Sequence, residues 1–170
     1  MARFGGFFIA IQCWVVFLAQ KDLTMAITTA MCSTYKVELL QGLQDHDAAG
    51  NLFKLGLFKT SPAGTYGAAT TNYSDVTGNS DENTGTNYTA AKSLTNTAPT
   101  STSTTAFTDF DDQTWGSSTI TADGAFIYNS TNGNRMVSVH DFGGAKSSSS
   151  GDFVVQFPTA DSSNAIIRIA

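Results

Sequence analysis

Charge is scarce in this chain. Only 14% of its 170 residues are Asp, Glu, Lys or Arg, against about 25% in an ordinary soluble domain. The nine Lys and Arg stand scattered and the formal charge is -5. A binder of phosphate backbones needs basic side chains gathered in a stripe, so nucleic acid is excluded as a partner. Histidine occurs twice, as His46 and His140, and cysteine twice, as Cys13 and Cys32. That leaves no set of ligands for a zinc site. No serine stands in a nucleophile elbow. Catalytic, cofactor-binding and metal-binding residues are therefore all expected to be none, and the protein is expected not to be an enzyme.

Large aliphatic residues are also missing from "TSPAGTYGAATTNYSDVTGNSDENTGTNYTAAK" (60–92), except Val76. Such a stretch cannot fold alone. It is either draped over the rest of the domain or kept as an interaction surface, because long loops in compact domains are usually functional or mobile. Tyr66, Tyr73 and Tyr88 are its candidate anchors.

What is present falls into two parts. Residues 4–19, "FGGFFIAIQCWVVFLA", form an apolar run preceded by Arg3. This resembles a secretory leader, but Phe17 and Leu18 make a poor cleavage site. The run is also short of the roughly 20 residues that cross a membrane. A third reading is favoured: Lys21 and Asp22, just upstream of Met25, can be encoded as a ribosome-binding sequence. Residues 1–24 would then be a mistranslated upstream segment and Met25 the true start. A cleaved leader and a hydrophobic anchor are the alternatives.

Residues 25–170 read as one domain. Met31, Tyr35, Leu39 and Leu43 recur at four-residue spacing with Cys32 and Leu40 beside them, which predicts a helix at about 29–43. Thr28 or Thr29 would cap its start and Gly42 would end it. Its stripe suits packing on the domain's own sheet, or docking of a partner. From Leu52 the period becomes two: "LFKLGLFK" places Phe53, Leu55 and Leu57 on a dry face and Leu52, Lys54, Gly56 and Phe58 on a mixed one. Further strands are predicted at 105–110, 118–122, 124–129, 135–142, 151–157 and 164–170. Asn132-Gly133 should turn one hairpin, "GGAKSSSSG" (143–151) should form a flexible loop, and Pro158 should end the strand before it. The fold class expected is mainly β, an antiparallel β-sandwich of jelly-roll or immunoglobulin-like type with one N-terminal helix. Leu55, Leu57, Phe107, Ile120, Ile127, Val137, Val139, Val155 and Ile167 should lie in its core.

Several apparent motifs do not hold together. Asp45, His46 and Asp47 could be drawn as a metal site, but consecutive residues of a tight turn do not converge on one ion, and a solvated turn is expected. Asp109, Asp111 and Asp112 lack the glycine and distal glutamate of a calcium loop, so a strand end facing solvent is expected. Asp141-Phe142-Gly143 has the letters of a kinase magnesium loop without the other kinase motifs. His140 is expected to be a hydrogen-bonded or surface imidazole. Cys32 would be a buried lone thiol. The sequons at Asn72, Asn87 and Asn129 carry little weight in a chain so rich in Ser and Thr.

"MAITTAMCSTYKVELL", "GTNYTAAKSLTN", "FTDFDDQTWGSSTITADGAFIYNST" and "DFGGAKSSSSGDFVVQFPTADSSNAIIRIA" together resemble a family of small virion structural proteins of tailed bacteriophages. The likeness runs from Met25 to Ala170. Two departures stand out: Asn87 and Ala91 replace glycine, which implies an altered loop, and Asp123 replaces a basic residue. The resemblance implies a non-enzymatic capsid decoration or tail accessory protein, made in the host bacterial cytoplasm and resident in the virion. Its implied partners are other copies of itself, a trimer being common in such proteins, and capsid or tail proteins, with no membrane involved. A receptor- or glycan-binding module of a tail fibre is the alternative, with Tyr66, Tyr73, Tyr88 and Trp115 stacking on sugars. A secreted adhesin-like domain is the second alternative and requires a genuine leader.

Overall fold

A computed structural model describes residues 26–170. The apolar run, Cys13 and the expected start at Met25 lie outside the described residues. The chain is mainly β, 46% strand against 9% helix. Its elements in order are β1 (Ala30–Met31), α1 (Ser33–Leu40), β2 (Phe53–Lys59), α2 (Tyr73–Thr77), β3 (Lys92–Ser93), β4 (Asn96–Thr102), β5 (Thr105–Phe110), β6 (Gln113–Ser118), β7 (Thr121–Asn129), β8 (Arg135–Ser147), β9 (Gly151–Val155) and β10 (Ile167–Ile169). They form a five-stranded sheet in the order β1-β8-β7-β2-β3, a three-stranded sheet β10-β5-β4 and a two-stranded pair β6-β9. All the strand pairings are antiparallel, and the sheets stay open.

Alternation along β2 and β7 decides what the central sheet can bury. The register pairs Leu55 with Ile127 and Leu57 with Ala125 on one face, and Gly56 with Phe126 and Lys54 with Tyr128 on the other. On the first face Phe53 meets Phe110 of β5, with ring centroids 5.6 Å apart. The second face, expected to be mixed, is covered as well: Tyr66 lies 4.6 Å from Phe58 and Tyr73 stacks 4.4 Å from Tyr128. Gly56 is required here, because the Phe126 ring occupies the space a Cβ would need. Of the expected core, Val155 is half-buried and the other eight residues are buried.

The segment between β2 and β3 is therefore draped, and its order comes from a few polar hubs. Asp81 is fully buried, and its carboxylate accepts from the Ala63 and Gly64 amides at 2.9 and 2.8 Å, from the Tyr66 hydroxyl at 2.6 Å and from Lys59 Nζ at 2.9 Å. Glu82 accepts from the hydroxyls of Tyr73 and Tyr88. The short helix α2, not foreseen from the sequence, starts at a capping box: the Asn72 side chain accepts from the Ser74 amide, and the Asp75 carboxylate accepts from the Asn72 amide. Tyr66, Tyr73 and Tyr88 are thus intramolecular anchors. Asn87 and Ala91 hold left-handed backbone, φ 58° and 50°, the conformation glycine adopts without steric cost. Asp123 accepts from the Ser61 amide at 2.7 Å and ties down the start of the same segment.

Four other expectations are corrected. The helix spans Ser33–Leu40 rather than about 29–43, since Ala30 and Met31 pair with β8 and Gly42 turns left-handed at φ 71°. Cys32 is its N-cap without a side-chain cap bond, and the Thr29 hydroxyl accepts from the Asp141 amide instead. β7 runs continuously through residues 121–129, and 118–122 is divided between β6 and β7 because Ser118 pairs with Gly151. β8 continues to Ser147, so only Ser148–Ser150 connects it to β9; Gly143 and Gly144 form an irregularity within it at φ 67° and 125°. The hairpin between β7 and β8 forms as expected, with positive φ at Gly133 and Asn134 rather than at Asn132.

Candidate functional site

The segment after α1 lines one of several clefts of similar size among the described residues. Gln44 and His46 are buried while Asp45 and Asp47 are exposed, a strand-like alternation in what the sequence suggested was a solvated turn. Gln44 is drawn inward by a buried polar chain. Its Nε2 donates to Glu38 at 2.7 Å, its Oε1 accepts from Asn129 Nδ2 at 2.8 Å, and Asn129 also donates to Asn51 Oδ1 at 2.7 Å. Arg135 lies 3.4 Å from the other Glu38 oxygen. Satisfying every member of such a chain is what makes its burial tolerable. With Gln44 fixed inward, the next inward position is His46.

His46 is 5% exposed. Its ring stacks on Phe53 with centroids 4.3 Å apart, and its Nε2 lies 2.7 Å from the Tyr35 hydroxyl. Nδ1 is buried without a partner. Burial lowers the imidazole to about 4, with a smaller opposing effect from the Asp45 charge, so it is neutral at physiological pH. Burial raises the Tyr35 hydroxyl well above its ordinary range. Beside this pair a cleft of about 400 Å³ opens between α1, the Gln44–Asp47 segment and the β10-β5-β4 sheet. Leu39, Pro99, Ala106, Phe107, Ile167 and Ile169 give it apolar walls, and Asp45 and Asp47 stand among its polar lining.

The remaining singled-out residues do not assemble into a site. Asp109, expected to face solvent, is buried and accepts from the Phe110 and Ile166 amides at 2.8 and 3.2 Å; burial raises its carboxyl despite those bonds. Asp112 accepts from the Phe157 amide, and Asp111 is exposed. His140 is half-buried, bonded to Ser138 Oγ at 2.8 Å and lowered to about 4 by desolvation. The Asp141 carboxylate accepts from the Gly143 amide within its own turn. Cys32 is buried, free and pushed up to about 12 by burial. Asn129, the third sequon, is fully buried in the polar chain. Trp115 is 1% exposed and its indole N–H donates to the Thr89 carbonyl. Sequence reasoning missed His46 because two flanking aspartates disguised it as a turn; the alternation of Gln44, Asp45, His46 and Asp47 was the available signal.

No protein-family model, curated protein or solved structure matches the chain.

Proposed function

We propose that the protein is a non-enzymatic structural component of a tailed bacteriophage virion, a capsid decoration or tail accessory protein that works by surface complementarity. The observation that carries this reading is the orientation of α1. The helix turns Tyr35 and the charged Glu38 inward while Val37 and Leu40, one turn apart, are 54% and 91% exposed. Leu43 and Leu52 are also exposed. A helix that buries a carboxylate and presents leucine to water is built for a neighbour, since exposed apolar patches mark interaction surfaces. The neighbour proposed is another copy or an adjoining capsid or tail protein, because symmetric assembly repeats one small contact many times.

In this reading the five-stranded sheet and the smaller sheets are the layers of a β-sandwich, consistent with Phe110 of β5 meeting Phe53 of β2. The alternative of sugar stacking loses support, because Tyr66 and Trp115 are buried and Tyr73 and Tyr88 bond inward to Glu82. Leu40→Glu tests the proposal. The variant should fold with unchanged circular dichroism, shift toward the monomer in light scattering and fail to join particles lacking the protein. A Leu40→Glu variant that assembles and incorporates like wild type overturns the role given to α1.

A further inference from the structure

The turn that joins β7 to β8 carries the one Asn-Gly pair of the chain, Asn132-Gly133, and its geometry leaves the backbone free to react with the side chain. Gly133 is exposed and Asn132 half-buried. Gly133 and Asn134 hold left-handed backbone, φ 59° and 58°, and the Arg135 amide donates back to the Asn132 carbonyl at 3.3 Å. The turn therefore centres on Gly133 and Asn134, with Asn132 at its first position. Among the described residues the Gly133 amide donates to no acceptor. Apart from its chain neighbours, no heavy atom lies within 4 Å of where a Cβ on Gly133 would stand. The Asn132 side chain is tethered by one bond among the described residues, from Nδ2 to the Leu43 carbonyl at 3.4 Å, longer than an ordinary hydrogen bond.

From this we infer that Asn132 is a site of self-modification, which deamidates in the folded protein through a succinimide with water as the only co-reactant. The Gly133 nitrogen attacks Asn132 Cγ and gives up its proton to hydroxide. The Cγ–Nδ2 bond breaks, and Nδ2 leaves as ammonia after taking a proton from water. Water then opens the ring at either carbonyl, leaving an aspartyl or an isoaspartyl residue at position 132 with no change of oxidation state. Ring closure needs an unhindered nitrogen with a free N–H, and Gly133 supplies both. Asn79 and Asn129, each followed by serine, are the contrast within the chain. Asn79 Nδ2 donates to the Tyr66 hydroxyl and the Asp75 carbonyl at 3.2 and 3.0 Å, and Asn129 is fully buried with Nδ2 bonded to Gln44 and Asn51. Breaking two such bonds costs roughly tenfold or more in rate. An isoaspartyl link adds a methylene to a turn whose Gly133 and Asn134 carbonyls accept from Asn72 Nδ2 and the Tyr73 amide at 2.8 and 3.0 Å. The reaction thus loosens the turn's hold on the start of α2 and places a negative charge beside the Leu43 carbonyl.

The test incubates the full chain at mildly alkaline pH, folded and in urea, and follows its peptides by mass spectrometry, with fragment masses placing each change and an isoaspartate methyltransferase counting isoaspartate. In the folded protein position 132 should gain the mass of NH₂ exchanged for OH at least about tenfold faster than positions 79 and 129, faster still at higher pH, with isoaspartate among the products. Unfolding should speed Asn79 and Asn129 and leave Asn132 nearly unchanged, since the turn already exposes it. Gly133→Ala, which sets a methyl beside the attacking nitrogen, should slow the reaction several-fold. Because φ 59° strains an alanine, Asn132→Gln serves as a second variant: it keeps the amide, needs a six-membered ring to react, and should stay unmodified over the same period. An Asn132 that stays intact in the folded chain, that reacts no faster than Asn79 or Asn129, or whose rate rises more than about tenfold on unfolding would overturn the inference. The virion role stands or falls separately.

Discussion

Replacing Asp81 by Asn is the most informative perturbation of the fold, because one carboxylate organises the start of the long segment between β2 and β3. The two carboxylate oxygens accept from Ala63, Gly64, Tyr66 and Lys59. An amide keeps one acceptor oxygen and turns its NH₂ toward groups that are themselves donors. Burial alone would raise the carboxyl, but the bonds from Tyr66, Ala63, Gly64 and Lys59 outweigh it and bring it from 3.8 down to about 2. Lys59 remains 38% exposed, so water screens its share and the inward bonds carry most of the effect. A carboxyl depressed to that extent contributes about 2 kcal/mol at neutral pH. Leaving buried donors without an acceptor adds about 1–2 kcal/mol. Asp81→Asn should therefore cost about 3–4 kcal/mol, or roughly 8–15 °C in Tm for a chain of this size. The sign with pH follows from a folded value below the unfolded one: the carboxylate's contribution is full above about pH 4 and is lost as pH falls through about 2. Urea unfolding followed by circular dichroism from pH 7 to 2 measures both. The gap between wild type and variant should narrow below pH 4. A variant within about 1 kcal/mol of wild type, or a gap that stays constant across the whole range, would refute the role given to Asp81.

Three smaller predictions accompany it. Gly56→Ala should destabilise by about 1–3 kcal/mol through overpacking against the Phe126 ring, and Gly56→Ala with Phe126→Leu should cost less than the two single changes added together in the same urea assay. Ala91→Gly should stabilise by up to about 1 kcal/mol, because φ 50° strains an L side chain and suits glycine; a loss of stability would mean that the alanine methyl packs usefully. His46 should titrate near 4 by NMR, and since its folded value lies below the unfolded 6.5, its contribution to stability should be complete above about pH 6.5 and fade as pH falls toward 4. An imidazole titrating above 6 would show that His46 is open to water.

The strand series was legible because period-two alternation with β-branched and aromatic residues is a direct consequence of pleated geometry. β5 matches the expected 105–110, and β2 and β9 differ from the expected spans only at their ends. Less legible were elements defined by partners far along the chain. β1 is two residues recruited by β8, β4 is a polar strand held by β5, and α2 depends on a capping box inside a polar stretch. The second covered face of the central sheet was hidden for the same reason. Tyr66 and Tyr73 are distant from Phe58 and Tyr128 in sequence, and no local pattern records that they stack. The cleft was the least legible feature. Its walls come from α1, β4, β5 and β10, so its apolar character is spread over segments that each look ordinary, and the inward turn of His46 follows from buried bonds to Gln44.

The central proposal, that this chain is a building part of a particle and makes its contacts through the outward face of α1, is tested most directly by quantitative mass spectrometry of purified virions from a phage carrying either the wild-type gene or Leu40→Glu. The account predicts wild-type protein in fixed stoichiometry with the particle's other structural proteins, and the variant left behind in the lysate as folded protein. Purified wild-type particles that lack the protein altogether would contradict it.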